Sequence, residues 1–136
     1  MYPEYLVAPM RSDLTNAGFE DLKNAEEVTK AIESEGTTFV VVNSVCGCAA
    51  ANARPAAKIA AASAKKPTKL VTVFAGMEKD AVDAARNHML PYPPSSPSMA
   101  LFKDGKLVHI IERHQIEGRP AQMIADNLIG AFEQYC

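Results

Sequence analysis

Thr37-Thr38-Phe39-Val40-Val41-Val42-Asn43-Ser44-Val45-Cys46-Gly47-Cys48 passes from a continuously apolar, β-branched run into two cysteines separated by one glycine. Such a run has no polar face, as in a central strand buried on both sides. After it, Ala49 to Lys66 is rich in alanine and has the composition of a helix. The cysteine pair therefore falls where a buried strand ends and a helix, expected over about Cys48 to Ala64, begins. Pro55 lies inside that helix and is expected to kink it.

Reading outward, Leu70 to Phe74 is a second apolar strand closed by Gly76, and Glu78 to Met89 has amphipathic helical spacing. Pro91-Tyr92-Pro93-Pro94-Ser95-Ser96-Pro97 lacks too many N–H donors for a helix or central strand. Met99 to Lys103 and Leu107 to Ile111 flank Asp104-Gly105, a hairpin signal. Arg119-Pro120 opens a last helix reaching Gln134. Upstream, Leu6, Val7, Met10 and Leu14 mark a helix from Glu4 to about Ala17, stopped by Gly18. Asn24 caps a second helix, which runs to about Ser34. A strand–helix–strand unit implies a parallel pair with a right-handed crossover, and the hairpin adds an antiparallel edge. The fold class expected is α/β: a small mixed sheet flanked by helices, with an N-terminal helical extension.

The chain has 136 residues, which suits a single domain over 1–136. A formal net charge of -2, with both signs interspersed, gives no electrostatic basis for binding nucleic acid or an anionic membrane. No window approaches the ~20 apolar residues of a membrane span. Met1 to Arg11 does not read as a signal peptide. Three cysteines do not make a disulfide scaffold, so the expected compartment is the reducing cytoplasm.

Cys46 is placed for reactivity. Sites in open α/β sheets gather beyond the carboxyl ends of strands. A helix N-terminus carries partial positive charge and free N–H groups, which favour the thiolate, the form that attacks disulfides. Two cysteines one residue apart can just reach disulfide geometry in a tight turn, with Gly47 supplying backbone freedom. Such a small ring is strained and easily reduced, which suits an isomerase, an oxidant or a resolver of mixed disulfides rather than a strong general reductant. Cys46 is assigned as the exposed nucleophile and Cys48 as the shielded resolving thiol. Ser96–Pro97 is a candidate cis peptide bond. That turn would lie beside the Cys46 helix terminus and present backbone groups to an extended substrate. Ser96, Pro97 and Gly47 are therefore the candidate substrate-binding residues.

A competing reading makes the pair a ligand set for a metal or iron–sulfur carrier, with Cys136 as a third ligand. His88, His109 and His114 stand at no recognisable ligand spacing from a cysteine. Cys136 otherwise reads as an uninvolved terminal thiol or as an auxiliary one that exchanges with the pair. His109 and His114 could carry protons but read as surface or satisfied histidines. Arg54 reads as a solvated helix position that could instead lower a thiol's ionisation midpoint or bind an acidic thiol substrate. Met10, Met77, Met89, Met99 and Met123 read as scattered core residues.

Val41-Val42-Asn43-Ser44-Val45-Cys46-Gly47-Cys48-Ala49, Ala53-Arg54-Pro55-Ala56, Val71-Thr72-Val73-Phe74-Ala75-Gly76 and Pro94-Ser95-Ser96-Pro97-Ser98-Met99-Ala100-Leu101 resemble the bacilliredoxin family, a branch of the thioredoxin fold. So do Pro9-Met10-Arg11, Ala17-Gly18-Phe19, Arg113-His114, Ile116-Glu117-Gly118 and Cys136. The resemblance covers nearly the whole chain. It implies a thioredoxin-like thiol–disulfide oxidoreductase that removes bacillithiol from S-bacillithiolated proteins and isomerises disulfides, without a bound cofactor. Cys46 would take bacillithiol onto itself, Cys48 would be the second cysteine, and Pro97 would match the fold's cis-proline. The expected partners are bacillithiol mixed disulfides or disulfide-bearing proteins, and the expected state is a monomer or weak dimer.

Overall fold

The computed structural model describes all of residues 1–136. Its centre is β2 (Thr37–Asn43), in which every residue is buried. The alternation of a pleated strand then sorts its side chains between two cores. Phe39 and Val41 join one, with Met99, Leu101 and residues of the helices α1 (Glu4–Thr15), α3 (Arg54–Ala61) and α6 (Ala121–Tyr135). Val40 and Val42 join the other, with α2 (Ala25–Glu33) and α4 (Lys79–His88). On the first face, Phe39 packs edge-on against Phe132 with ring centroids 5.2 Å apart, and Phe19 tilts against Phe39 at 5.9 Å.

The five strands lie in the order β1-β3-β2-β4-β5. β3 (Lys69–Phe74) runs parallel to β2 with Val41 opposite Thr72. β4 (Ser98–Lys103) runs antiparallel to β2 with Val42 opposite Ser98. β5 (Lys106–Ile111) forms the antiparallel edge. Asp104 and Gly105 both take positive φ, 50° and 84°, the backbone of a tight two-residue hairpin. The Asp104 carboxylate also accepts the Gly36 amide at 2.8 Å, tying the hairpin tip to the end of α2. Asn24 caps α2 as expected, accepting from the Glu27 amide at 2.9 Å.

Three elements depart from the expectation. Residues 49–53 form a π-helical turn, and regular α3 begins only at Arg54. Pro55 has no N–H and its ring crowds the preceding turn, so the extra residue is absorbed upstream as a π-bulge rather than as a simple kink. α3 also stops at Ala61, short of Ala64. β1 (Glu20–Asp21) is a short strand parallel to β3, and α5 (Arg113–Ile116) is a single turn after β5; neither was anticipated. The N-terminal helix is held by Arg11, which is 6% exposed. Its guanidinium grips both Glu78 oxygens at 2.9 and 2.8 Å, Asp21 at 3.0 Å and Glu4 at 3.1 Å, and lies over the Phe74 ring. No helix is long and apolar enough to cross a membrane.

Candidate active site

β2 carries the chain to Asn43, and Ser44-Val45 leads directly to Cys46 at the head of the helix. The register that sets Val42 against Ser98 brings Pro97 to the same end of the sheet, beside Asn43. The Ser96–Pro97 bond is cis, as is Leu90–Pro91. β5 ends with Ile111 opposite Met99, so α5 also starts at this end. Cys46, Cys48, Gly47, Ser96 and Pro97 are thus gathered around one edge of the fold.

The two thiols are chemically unequal although both are half-buried. The expected shielding of Cys48 is therefore not what separates them; hydrogen bonding is. Burial pushes the Cys46 thiol up. Bonds from the Cys48 thiol, the Ser44 hydroxyl and the Ala49 and Cys48 amides outweigh it, and hold Cys46 below the ordinary thiol value. Cys48 moves the other way: burial, its bond to Cys46 and the charge on Cys46 raise it, against a partial offset from Arg113. The Cys46 carbonyl accepts from Ala49 and Ala50 at 3.1 and 3.3 Å, which closes the first turn. Gly47 is exposed, its φ is not in the left-handed region, and a Cβ there would meet nothing within 4 Å. In the dithiol state Gly47 therefore leaves open space at its own position, rather than supplying an unusual backbone.

This inequality fixes a pH signature. A lower ionisation midpoint means more thiolate near neutral pH, so iodoacetamide is expected to modify Cys46 first. Titration of alkylation rate in Cys48→Ser, whose hydroxyl keeps a donor beside Cys46, is expected to give a midpoint below the ordinary ~8.5. In Cys46→Ser the Cys48 midpoint is expected above it. The reverse order would exchange the roles of the two sulfurs.

A polar network absent from the sequence reading underlies the turn. Arg54 is 5% exposed, not a solvated helix position. Its Nη1 donates to Asn43 Oδ1 and to the Ser44 carbonyl, both at 2.9 Å, and its Nε lies 3.4 Å from Asp13 Oδ2. Asn43 accepts the Ser44 amide at 2.8 Å and donates to the Met10 carbonyl at 3.1 Å. Ser44 Oγ accepts the Cys46 amide at 3.1 Å. Helix α1 is therefore wired through Arg54 and Asn43 to the residue that faces the Cys46 sulfur. The one local signal for this was Ser44, a hydroxyl two residues before Cys46, the spacing of a serine turn.

The Ser96 carbonyl, one of the backbone groups expected to face a substrate, already has a partner. Arg113 Nη1 donates to it at 3.2 Å, and the Arg113 amide lies 3.4 Å from Ser95 Oγ. The histidines and Cys136, weighed only as alternatives, lie elsewhere. His88 binds the Ala84 carbonyl and Glu33, His109 binds Asn127, and His114 is exposed on α5. Cys136 is half-buried against the Phe39 core, its amide bonded to the Phe132 carbonyl at 2.8 Å. Helix α6 starts where Asn52 holds the Arg119 carbonyl and ends where Lys65 reaches the Glu133 carbonyl, at the far end of α3. Fifteen helical residues span about 22 Å. Cys136 is therefore too distant to exchange with Cys46 or Cys48 within one molecule, or to share a metal with them. No group of three or more His, Cys, Asp or Glu side chains is placed to hold a metal ion. Met77, Met89 and Met99 are core residues, but Met123 is 56% exposed.

A family model described as disulphide isomerase matches residues 2–136. A bacilliredoxin of Cytophaga hutchinsonii is 54% identical over 134 residues, covering 98% of this chain and 99% of its own. A bacilliredoxin of Geobacillus kaustophilus is 52% identical over 137 residues, covering 99% and 94%. Among solved structures, oxidised mitochondrial thioredoxin 3 of Saccharomyces cerevisiae superposes with a TM-score of 0.61 at 18% identity, over 90% of this chain and 99% of that one. A thioredoxin variant from Halobacterium salinarum gives 0.61 at 14% identity, over 88% and 91%. The thioredoxins show the fold; the full-length match shows the family. The chain belongs to the disulphide isomerase family, among the bacilliredoxins, and is a thiol–disulfide oxidoreductase with a thioredoxin fold.

Proposed function

We propose that the chain acts as one domain over 1–136, in the cytoplasm, to remove bacillithiol from S-bacillithiolated proteins and to isomerise protein disulfides at the same site. The observation that carries this reading is the pair of adjacent, unequal thiols: one favoured as thiolate, the other held as thiol beside it. The Cys46 thiolate attacks the bacillithiol sulfur of the mixed disulfide. A Cys46–bacillithiol disulfide forms, the client–bacillithiol bond breaks, and the client leaves as a thiolate that takes a proton from solvent. Cys48 then loses its proton and attacks Cys46, releasing bacillithiol and leaving a Cys46–Cys48 disulfide for an external dithiol to reduce. The exchange is thiol chemistry throughout and uses no bound cofactor. Gly47, Ser96 and Pro97 form the surface on which the substrate rests. The two bacilliredoxin relatives, both near-complete in length, support the choice of thiol.

Incubating the reduced protein with a bacillithiolated client tests the proposal through the client's mass. The client is expected to lose one bacillithiol per turnover when a dithiol reductant is supplied. A client that keeps its adduct, while scrambled protein disulfides are reshuffled, would leave the isomerase activity and remove the substrate.

A further inference from the structure

Arg113 has no assigned role in the exchange, yet it is fixed at its edge. The turn that carries it is locked by a reciprocal cap in which the Glu112 amide donates to the Gln115 side chain at 3.0 Å. Its guanidinium spans two elements, with Nη1 on the Ser96 carbonyl at 3.2 Å and Nη2 on Glu117 Oε2 at 3.4 Å. These bonds engage two of its five N–H groups, and the side chain is 42% exposed. A guanidinium with free donors beside reactive sulfurs is suited to a carboxylate, which it can hold in two parallel bonds. Its contact with Glu117 is an exposed pair of the weakly held kind, so an incoming carboxylate can displace it. The charge is also felt at the site, where it favours ionised Cys48.

A mixed disulfide offers two sulfurs, and which one is attacked determines which fragment ends on Cys46. We propose that Arg113 is a specificity-determining residue that receives a carboxylate of a low-molecular-weight thiol, directing that thiol's sulfur rather than the client's to Cys46, with Glu117 competing for the same guanidinium. This rests on the de-thiolation reading above. The step conserves electrons: the Cys46–small-thiol bond forms, the small-thiol–client bond breaks, and the client sulfur departs as a thiolate protonated by solvent.

The test compares single-turnover rates in a Cys48→Ser background. One client peptide carries 3-mercaptopropionate, 2-mercaptoethanol or cysteamine in disulfide linkage, which places a negative, neutral or positive group near the reacting sulfur. Rates are taken on the pH plateau where Cys46 is fully ionised, so a changed ionisation midpoint drops out. The anionic-to-neutral ratio is expected to be about tenfold at low salt and to fall as salt screens the charge. Arg113→Gln is expected to bring the ratio to about one, Arg113→Lys to leave part of it, and Glu117→Gln to raise it about threefold. A ratio unchanged in Arg113→Gln would overturn the proposal, whatever the absolute rates, and would make Arg113 a support for the Ser96 loop alone. If none of the three disulfides is cleaved in any variant, the de-thiolation reading falls, and this proposal with it.

Discussion

Cys46→Ser is expected to lower the rate of mixed-disulfide cleavage by on the order of a thousandfold or more, because the residue that forms the covalent intermediate is gone and no second nucleophile is poised to replace it. Cys48 cannot take over: burial, the largest cause and one that does not depend on the Cys46 sulfur, still pushes its thiol up, so little of it is thiolate near neutral pH. Cys136 cannot take over either, since it sits at the far end of α6. Cys48→Ser is expected to behave differently. It leaves the first attack within about tenfold of wild type and blocks the second, so turnover stops after one equivalent. A stopped-flow burst distinguishes the two variants. A wild-type burst in Cys46→Ser would move the nucleophile to another sulfur.

Arg54→Met is expected to be the most damaging change outside the pair, for two separable reasons. The guanidinium makes two hydrogen bonds in a buried setting, to Asn43 Oδ1 and the Ser44 carbonyl. Removing it leaves that carbonyl without its charged donor, a cost of about 3 kcal/mol, read as a lower urea midpoint at unchanged slope. It also frees Ser44, whose hydroxyl helps hold the Cys46 thiolate. The alkylation midpoint of Cys46 is therefore expected to move up towards the ordinary thiol value. Arg54→Lys is not expected to restore either property, because a single ammonium cannot span Asn43, Ser44 and Asp13 as a planar fork does. A destabilised Arg54→Met whose Cys46 midpoint stays in place would make the network a structural strut with no influence on the sulfur.

What the sequence displayed and what it concealed follow from how each residue is held. β2 was legible because a strand buried on both faces has nothing polar to interrupt it, and the Asp104-Gly105 turn because few residue pairs accept positive φ at both positions. The break at Pro55 was legible in position but not in form. A π turn depends on how the chain redistributes its carbonyls, which residue identity does not state. β1 was hidden because Glu20 and Asp21 have no apolar pattern and pair with β3 through backbone alone. Arg54 looked like a surface cation because its charge dominates any reading by composition. Its burial follows from Asn43 and Ser44, whose acceptors become available only once β2 ends beneath it. Arg113 met the site through the return of β5 to the same sheet end, a tertiary fact with no local signature. The cysteine pair and Pro97 stand out in the sequence because they are unusual residues at a strand–helix junction and before a strand, and the structure puts both at one end of the sheet.

In the proposed exchange Cys46, activated by the strand–helix junction and its neighbours, takes the small thiol onto its own sulfur. Peptide-level mass spectrometry of Cys48→Ala after reaction with a bacillithiolated client reads this transfer. One bacillithiol adduct on the peptide containing Cys46, with the client released as free thiol, is the predicted result. An adduct joining Cys46 to the client itself, or bacillithiol found on Cys136 with Cys46 unmodified, would contradict it.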